Sequence, residues 1–183
     1  MKFQQVTALI LSLAIINSAQ SAGAIFDGRW WQHSEEAERT GFLFGLEDCY
    51  AFDAAPKLIF EDSWDNYRKG ISASYEKPNQ LNVPVAQVFK PLGRKQSGEE
   101  HAGMAQEQRY GSEFWRGNND LARRGFLEAY ITCPPYPARG LHLNKLDQYV
   151  QRLNALYNVG DKRGEDSPEF AGPVADALGL IQK

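Results

Sequence analysis

The chain has 183 residues, 43% hydrophobic and 23% charged, which is the composition of a folded protein and not of a disordered, collagenous or coiled-coil one. Lysine and arginine number 20 against 23 aspartate and glutamate, for a formal net charge of −3. That balance supplies no broad positive field for phosphates, so nucleic acid and anionic membrane are not expected partners.

At the N-terminus, Lys2 precedes an apolar run at 6–16 and then small and polar residues up to Ala24. A positive start, an apolar centre and a small-residue tail are the parts of a secretory signal. The run has 11 residues against the ~20 that span a bilayer, so no stable membrane anchor is expected after cleavage. Ala22, Gly23 and Ala24 supply a cleavage motif, with the cut after Ala24 and a second permitted cut after Ala22. The 159 residues left are enough for one domain that buries ~70% of its unfolded surface. The expected location is secreted or periplasmic.

The first unit is placed at 25–92. An aromatic lead-in carries Phe26, Trp30 and Trp31, and Ser34 reads as an N-cap ahead of Glu35 and Glu36. The helix that follows sets Phe42, Gly45, Leu46 and Cys49 on one face. A second helix is predicted at 63–76, and a third starts near Pro84, since proline suits a first turn. Residues 93–109 form a polar linker with almost no large apolar side chain.

The second unit, 110–183, runs through the same order. Tyr110, Phe114 and Trp115 lead in, Asn118 or Asn119 caps, and Phe126, Ala129, Tyr130 and Cys133 repeat the stripe before Pro134 and Pro135 end the helix. A second helix is predicted at 144–157 with Leu146, Tyr149, Val150 and Leu153 on its apolar face. Pro173 starts the third, and Ser167, Pro168 and Glu169 offer an alternative start.

This order is a duplication. Displaced by 84 residues, 26–49 falls on 110–133 with six of 24 pairs identical: Trp31/Trp115, Arg39/Arg123, Gly41/Gly125, Phe42/Phe126, Leu43/Leu127 and Cys49/Cys133. Unrelated segments would match at about one position in sixteen. An offset of 82 then superposes Asp65, Tyr67, Ala73 and Tyr75 on Asp147, Tyr149, Ala155 and Tyr157, and an offset of 89 superposes 84–86 on 173–175. Only loop lengths change, as expected of a duplicated unit. The predicted fold is all-α, with two pseudo-symmetric three-helix repeats sharing one core.

Cys49 and Cys133 are the two cysteines of the chain, and an even count in an oxidising compartment reads as a disulfide. Each lies one turn beyond a small residue, Gly45 or Ala129, so the equivalent helices can approach as closely as a disulfide requires. The bridge is expected to staple the halves and to have no redox role.

Motifs of catalysis are absent: there is no G-x-S-x-G, phosphate loop, H-E-x-x-H or C-x-x-C. His33, His101 and His142 have no metal-ligand spacing, so neither metal nor other cofactor is expected. Glu47 and Asp48 point about 100° apart on a helix and read as solvated charges. Asp65 and Asp147 sit in first turns of helices, where acids are favoured by the dipole, and Arg39 and Arg123 are placed to pair with them. Trp30, Trp31, Trp115 and Tyr110 read as core closure, with a stacking surface for a sugar or partner as the alternative.

The segments GFLFGLEDC (41–49) and GFLEAYITC (125–133) are each followed by a proline-containing loop, an amphipathic helix, a second proline-containing loop and a short apolar helix. Over 39–92 and 123–181 this order resembles the helical Tai-type amidase-immunity family of type VI secretion, here with two units in one polypeptide. The resemblance implies a periplasmic helical protein that binds a partner enzyme and blocks it. The leading expectation is therefore a non-enzymatic protein that binds another envelope or effector protein. The rival is an envelope small-molecule or glycan binding protein or enzyme with a cleft between the repeats, using Trp31, Trp115, Arg39, Arg123, Asp65 and Asp147.

Overall fold

The computed structural model describes residues 26–97, 109–133, 140–159 and 170–182. The expected signal and cleavage motif, His101, Pro134, Pro135 and the alternative helix start at Ser167 lie outside the described residues. The fold is mainly helical, as expected, with eight α-helices among the described residues. None of those helices is long and apolar enough to cross a membrane.

The aromatic lead-in of the first half is itself a helix, α1 (Gly28–His33), because Asp27 caps it by accepting from the amides of Arg29 and Trp30 at 2.9 and 3.1 Å. Ser34 consequently closes α1 and does not open the next helix: its amide donates to the Trp30 carbonyl, and Glu35 occupies the N-cap of α2 (Glu36–Asp48). The chain then widens into a π-helical turn, Cys49–Asp53. Ser63 caps α3 (Trp64–Tyr75) by accepting from the Asn66 amide, within one residue of each predicted end. Pro84 lies just before α4 (Val85–Phe89), at its N-cap.

The second half runs α5 (Ser112–Gly117), α6 (Asp120–Thr132), α7 (Leu146–Leu156) and α8 (Val174–Ile181). Asn119 is the cap of α6, accepting from the Ala122 amide at 2.9 Å. The departure from a helical chain is a short antiparallel pair, β1 (Leu58–Ile59) with β2 (Arg94–Lys95). β2 belongs to the stretch expected to be a solvated linker; it is docked because Gln96 donates its side-chain amide to the Ala51 and Leu58 carbonyls.

The core centres on the crossing of α2 and α6. A Cβ on Gly41 would collide with the Ala122 backbone, and one on Gly125 with the Glu38 carbonyl, so glycine is what allows the two backbones to touch. Near the end of the crossing, Cys49 and Cys133 form the disulfide, with Cα atoms 6.4 Å apart. Aromatic side chains line both flanks: Phe26, Trp30 and Phe42 pack together on one, and Tyr110, Phe114 and Phe126 on the other.

Corresponding contacts recur in the two halves. Trp31 Nε1 donates to Ser72 at 2.9 Å, and Trp115 Nε1 to Asn154 at 2.8 Å. Tyr75 and Tyr157 donate to the carbonyls of Val83 and Gly172, both at 2.9 Å. The first amides of α4 and α8, from Val85 and Val174, donate to the carbonyls of Phe26 and Tyr110, both at 2.8 Å.

Candidate functional site

The C-terminal end of α2 carries a dense cluster of polar side chains. Asp48, expected to be solvated, is buried with 2% of its side chain exposed. Arg109 covers it from the far end of the chain's central stretch, donating from Nη2 to Asp48 at 2.7 Å, to Asp53 at 2.5 Å and to the Tyr130 hydroxyl at 2.9 Å. Tyr130 in turn donates to Asp53 at 2.8 Å. The next residue, Tyr110, donates its hydroxyl to Glu47 at 2.5 Å and its amide to Asp48 at 3.3 Å. The helical argument that separates adjacent carboxylates by about 100° holds, yet a remote segment folds over both.

Burial pushes the Glu47 carboxyl up to about 7; the Tyr110 hydrogen bond opposes this and the Asp48 charge adds to it. Burial also raises Asp48, against the Arg109 pairing. Tyr110 is held above the ordinary tyrosine range by burial and by the Glu47 charge. Beside these groups opens a cavity of about 440 Å³ walled by Phe52, Ile59 and Phe60, with Glu47, Asp48 and Tyr110 on one side. An apolar cavity with a few convergent polar groups and a shifted acid has the make-up of a small-ligand site, and Glu47 can hold or release a proton there near neutral pH.

Sequence reasoning missed Arg109 and Asp53. The available signal is a mismatch between the two segments aligned at an offset of 84, Glu47 and Asp48 standing opposite Ile131 and Thr132.

The expected site residues are not gathered in one cleft. Trp31 and Trp115 are sealed in the core at 1% and 0% exposure, with both indole N–H groups satisfied, so they close the two halves as the core reading held. Trp30 and Tyr110 are half-buried and pack on neighbouring rings. Asp65 and Asp147 do not pair with Arg39 and Arg123. Arg68, one turn along α3, takes Asp65, and Arg124, on the next spoke of α6, takes Asp147 at 2.6 Å. Arg39 and Arg123 instead reach back eight residues, to the carbonyls of Trp31 and Trp115.

A second buried acid, Glu128, lies on α6 with Oε1 accepting from Arg124 at 3.2 Å and Oε2 without a partner among the described residues. Burial and then the Glu38 charge raise it to about 7, with Arg124 pulling the other way. His33 is exposed, its ring on the Arg29 carbonyl, and His142 is exposed as well. Among the described residues no group of three His, Cys, Asp or Glu side chains is placed to hold a metal ion.

Comparison of the chain with protein-family models, with curated proteins and with solved structures finds no match.

Proposed function

We propose that the chain is a secreted or periplasmic helical protein that binds a partner protein, in an inhibitory or immunity-like way, on a scaffold made of two copies of one helical unit. The duplication is supported by the hydrogen bonds that recur between residues equivalent under the sequence offsets, Trp31–Ser72 with Trp115–Asn154 above all. An oxidising compartment is supported by the disulfide.

The observation that carries the binding reading is the fate of the repeated side chains. A ligand cleft between the copies would need Trp31, Trp115, Arg39 and Arg123 at an open surface. The two tryptophans are instead core, and α2 and α6 meet backbone to backbone through Gly41 and Gly125. A scaffold closed along its pseudo-symmetric seam has its outer surface left for recognition. The Tai-type resemblance makes a cell-wall hydrolase the partner class to test first.

The rival reading, an envelope small-molecule or glycan binding protein or enzyme, is favoured by one feature, the cavity beside Glu47 and Tyr110. Affinity capture from envelope extract with tagged residues 25–183, read by mass spectrometry, separates the two. The binding reading expects one stoichiometric protein, whose activity the purified chain then lowers. Folded bait that captures nothing specific, and that binds a small ligand shielding Tyr110, supports the rival.

A further inference from the structure

We infer that the groove between α2 and α3 is a carboxylate-binding site in which Arg39 is the principal ligand and Lys69 the second cation. The groove has a volume of about 420 Å³ and is lined by Arg39, Lys69, Ser72 and Glu76, with Glu36, Asp65 and Arg68 at one end.

The argument starts from two arginines in one local setting. Arg123 donates from Nε to the Trp115 carbonyl at 2.6 Å, from Nη1 to Asp120 at 2.7 Å and from Nη2 to the Arg116 carbonyl at 3.5 Å, so each of its three nitrogens has an acceptor. Arg39 stands in the same relation to Trp31 but makes a single hydrogen bond among the described residues, from Nη1 to the Trp31 carbonyl at 3.3 Å. Its Nε is sealed from solvent with no hydrogen-bond partner among the described residues. The guanidinium rests over the Trp31 ring, 5.5 Å from its centroid, which holds its plane without using its donors.

The cause lies one turn back. The acid that satisfies Arg123 is Asp120, at the first position of α6. The first position of α2 is Glu36, and its longer side chain is drawn across the groove to Arg68, which also holds Asp65. Both acids at that end are therefore committed to Arg68, and Arg39 is left short of an anion. Native proteins rarely leave a buried donor of this kind unmet, and a planar fork of donors beside an open groove is the geometry that a carboxylate satisfies bidentately. Turning the guanidinium off its one long hydrogen bond is the step that would bring the sealed Nε out beside Nη2 to meet a carboxylate. Lys69, exposed on the groove's wall, adds a second positive charge to the approach.

The chemistry recognised is a carboxylate, and it has two sources: a small free acid or an acidic side chain of a polypeptide. This site does not rest on the partner-binding reading, and a small-probe titration is independent of whether a protein partner is found. The test uses the disulfide-bonded mature chain and follows the arginine Nε–Hε resonances by NMR. The probes are N-acetyl-glutamate and the peptide acetyl-Gly-Glu-Gly-amide, with their glutamine counterparts as controls at matched ionic strength. The expected result is a saturable shift at Arg39, absent at Arg123 and absent with the glutamine probes. Tighter binding of the peptide assigns the source to a polypeptide, and equal or tighter binding of the free acid assigns it to a small molecule. Arg39→Lys keeps the charge and removes the fork, and is expected to weaken binding about tenfold or more. The inference is overturned by no shift at Arg39 beyond the glutamine control, by an equal shift at Arg123, or by undiminished binding to a folded Arg39→Lys chain. Should that variant not fold, the comparison of Arg39 with Arg123 in the native chain decides alone.

Discussion

At the scale of single residues, the interior holds two glutamates that burial has moved into the neutral range. Glu47 and Glu128 are each raised from 4.5 to about 7. Below about pH 4.5 both are protonated whether the chain is folded or not. Between about pH 4.5 and 7 the folded state keeps protons that the unfolded state has lost, so stability falls as pH rises and the whole penalty is present above about pH 7. The urea midpoint is therefore expected to be higher at about pH 5 than at about pH 8, and Glu47→Gln with Glu128→Gln to flatten that slope. An equal slope in parent and double variant would show that neither group titrates as argued. These shifts were not legible in the sequence. Glu47 and Asp48 look solvated from helical geometry alone, because Arg109 and Tyr110, which cover them, lie about sixty residues downstream. The cysteines and tryptophans were legible, since a bulky or bridging side chain repeated at one offset needs the same core position twice.

At the scale of elements, glycine has opposite meanings at different places. Gly41 and Gly125 face the opposing helix backbone across the seam, where a methyl group has no flexible neighbour to displace. Gly41→Ala or Gly125→Ala is expected to cost about 1–3 kcal/mol, or to prevent folding, through overpacking. Gly70 lies inside α3 with no atom from outside its own stretch of helix within 4 Å of an added Cβ, so Gly70→Ala is expected to stabilise the chain by about 0.5–1 kcal/mol from helix propensity and unfolded-state entropy. Urea unfolding of the three variants checks both signs, and a stabilising Gly41→Ala would mean that the two helix backbones do not touch at Gly41. The long helices were legible because caps such as Ser63 and Asn119 and a sustained 3.6-residue period mark them. Six-residue helices such as α1 and α5 span under two turns, too few for a period to register, so by sequence Ser34 reads as opening a helix when it closes one. Two-residue strands carry no alternation at all, so β1 and β2 went unseen.

At the scale of the molecule, each half closes on its own tryptophan while the seam joins the halves. Trp31→Ala or Trp115→Ala removes a fully buried ring together with its hydrogen bond to Ser72 or Asn154, for an expected loss of about 3–5 kcal/mol. A folded Trp31→Ala chain that had lost only ligand binding would instead return the ring to a cleft. The seam depends on packing between two elements brought together from 84 residues apart, so the disulfide acts on the step that joins the halves. Closing a loop of that length removes about 4–5 kcal/mol of unfolded-state entropy in the chain model, an upper figure when the unfolded chain is compact. Cys49→Ala with Cys133→Ala is therefore expected to keep the helical content, since α2 and α6 still bury Phe42, Leu46, Phe126 and Leu127. It should lose about 2–5 kcal/mol of stability, and the denaturant slope should rise because the unlinked chain exposes more surface on unfolding. Urea unfolding of the oxidised parent and the double variant measures both quantities. Alkylation of the denatured, unreduced parent should find no thiol. An unchanged midpoint and slope would mean that the α2–α6 interface alone sets the stability of the joined chain, and that the bridge only records the proximity of the two helices.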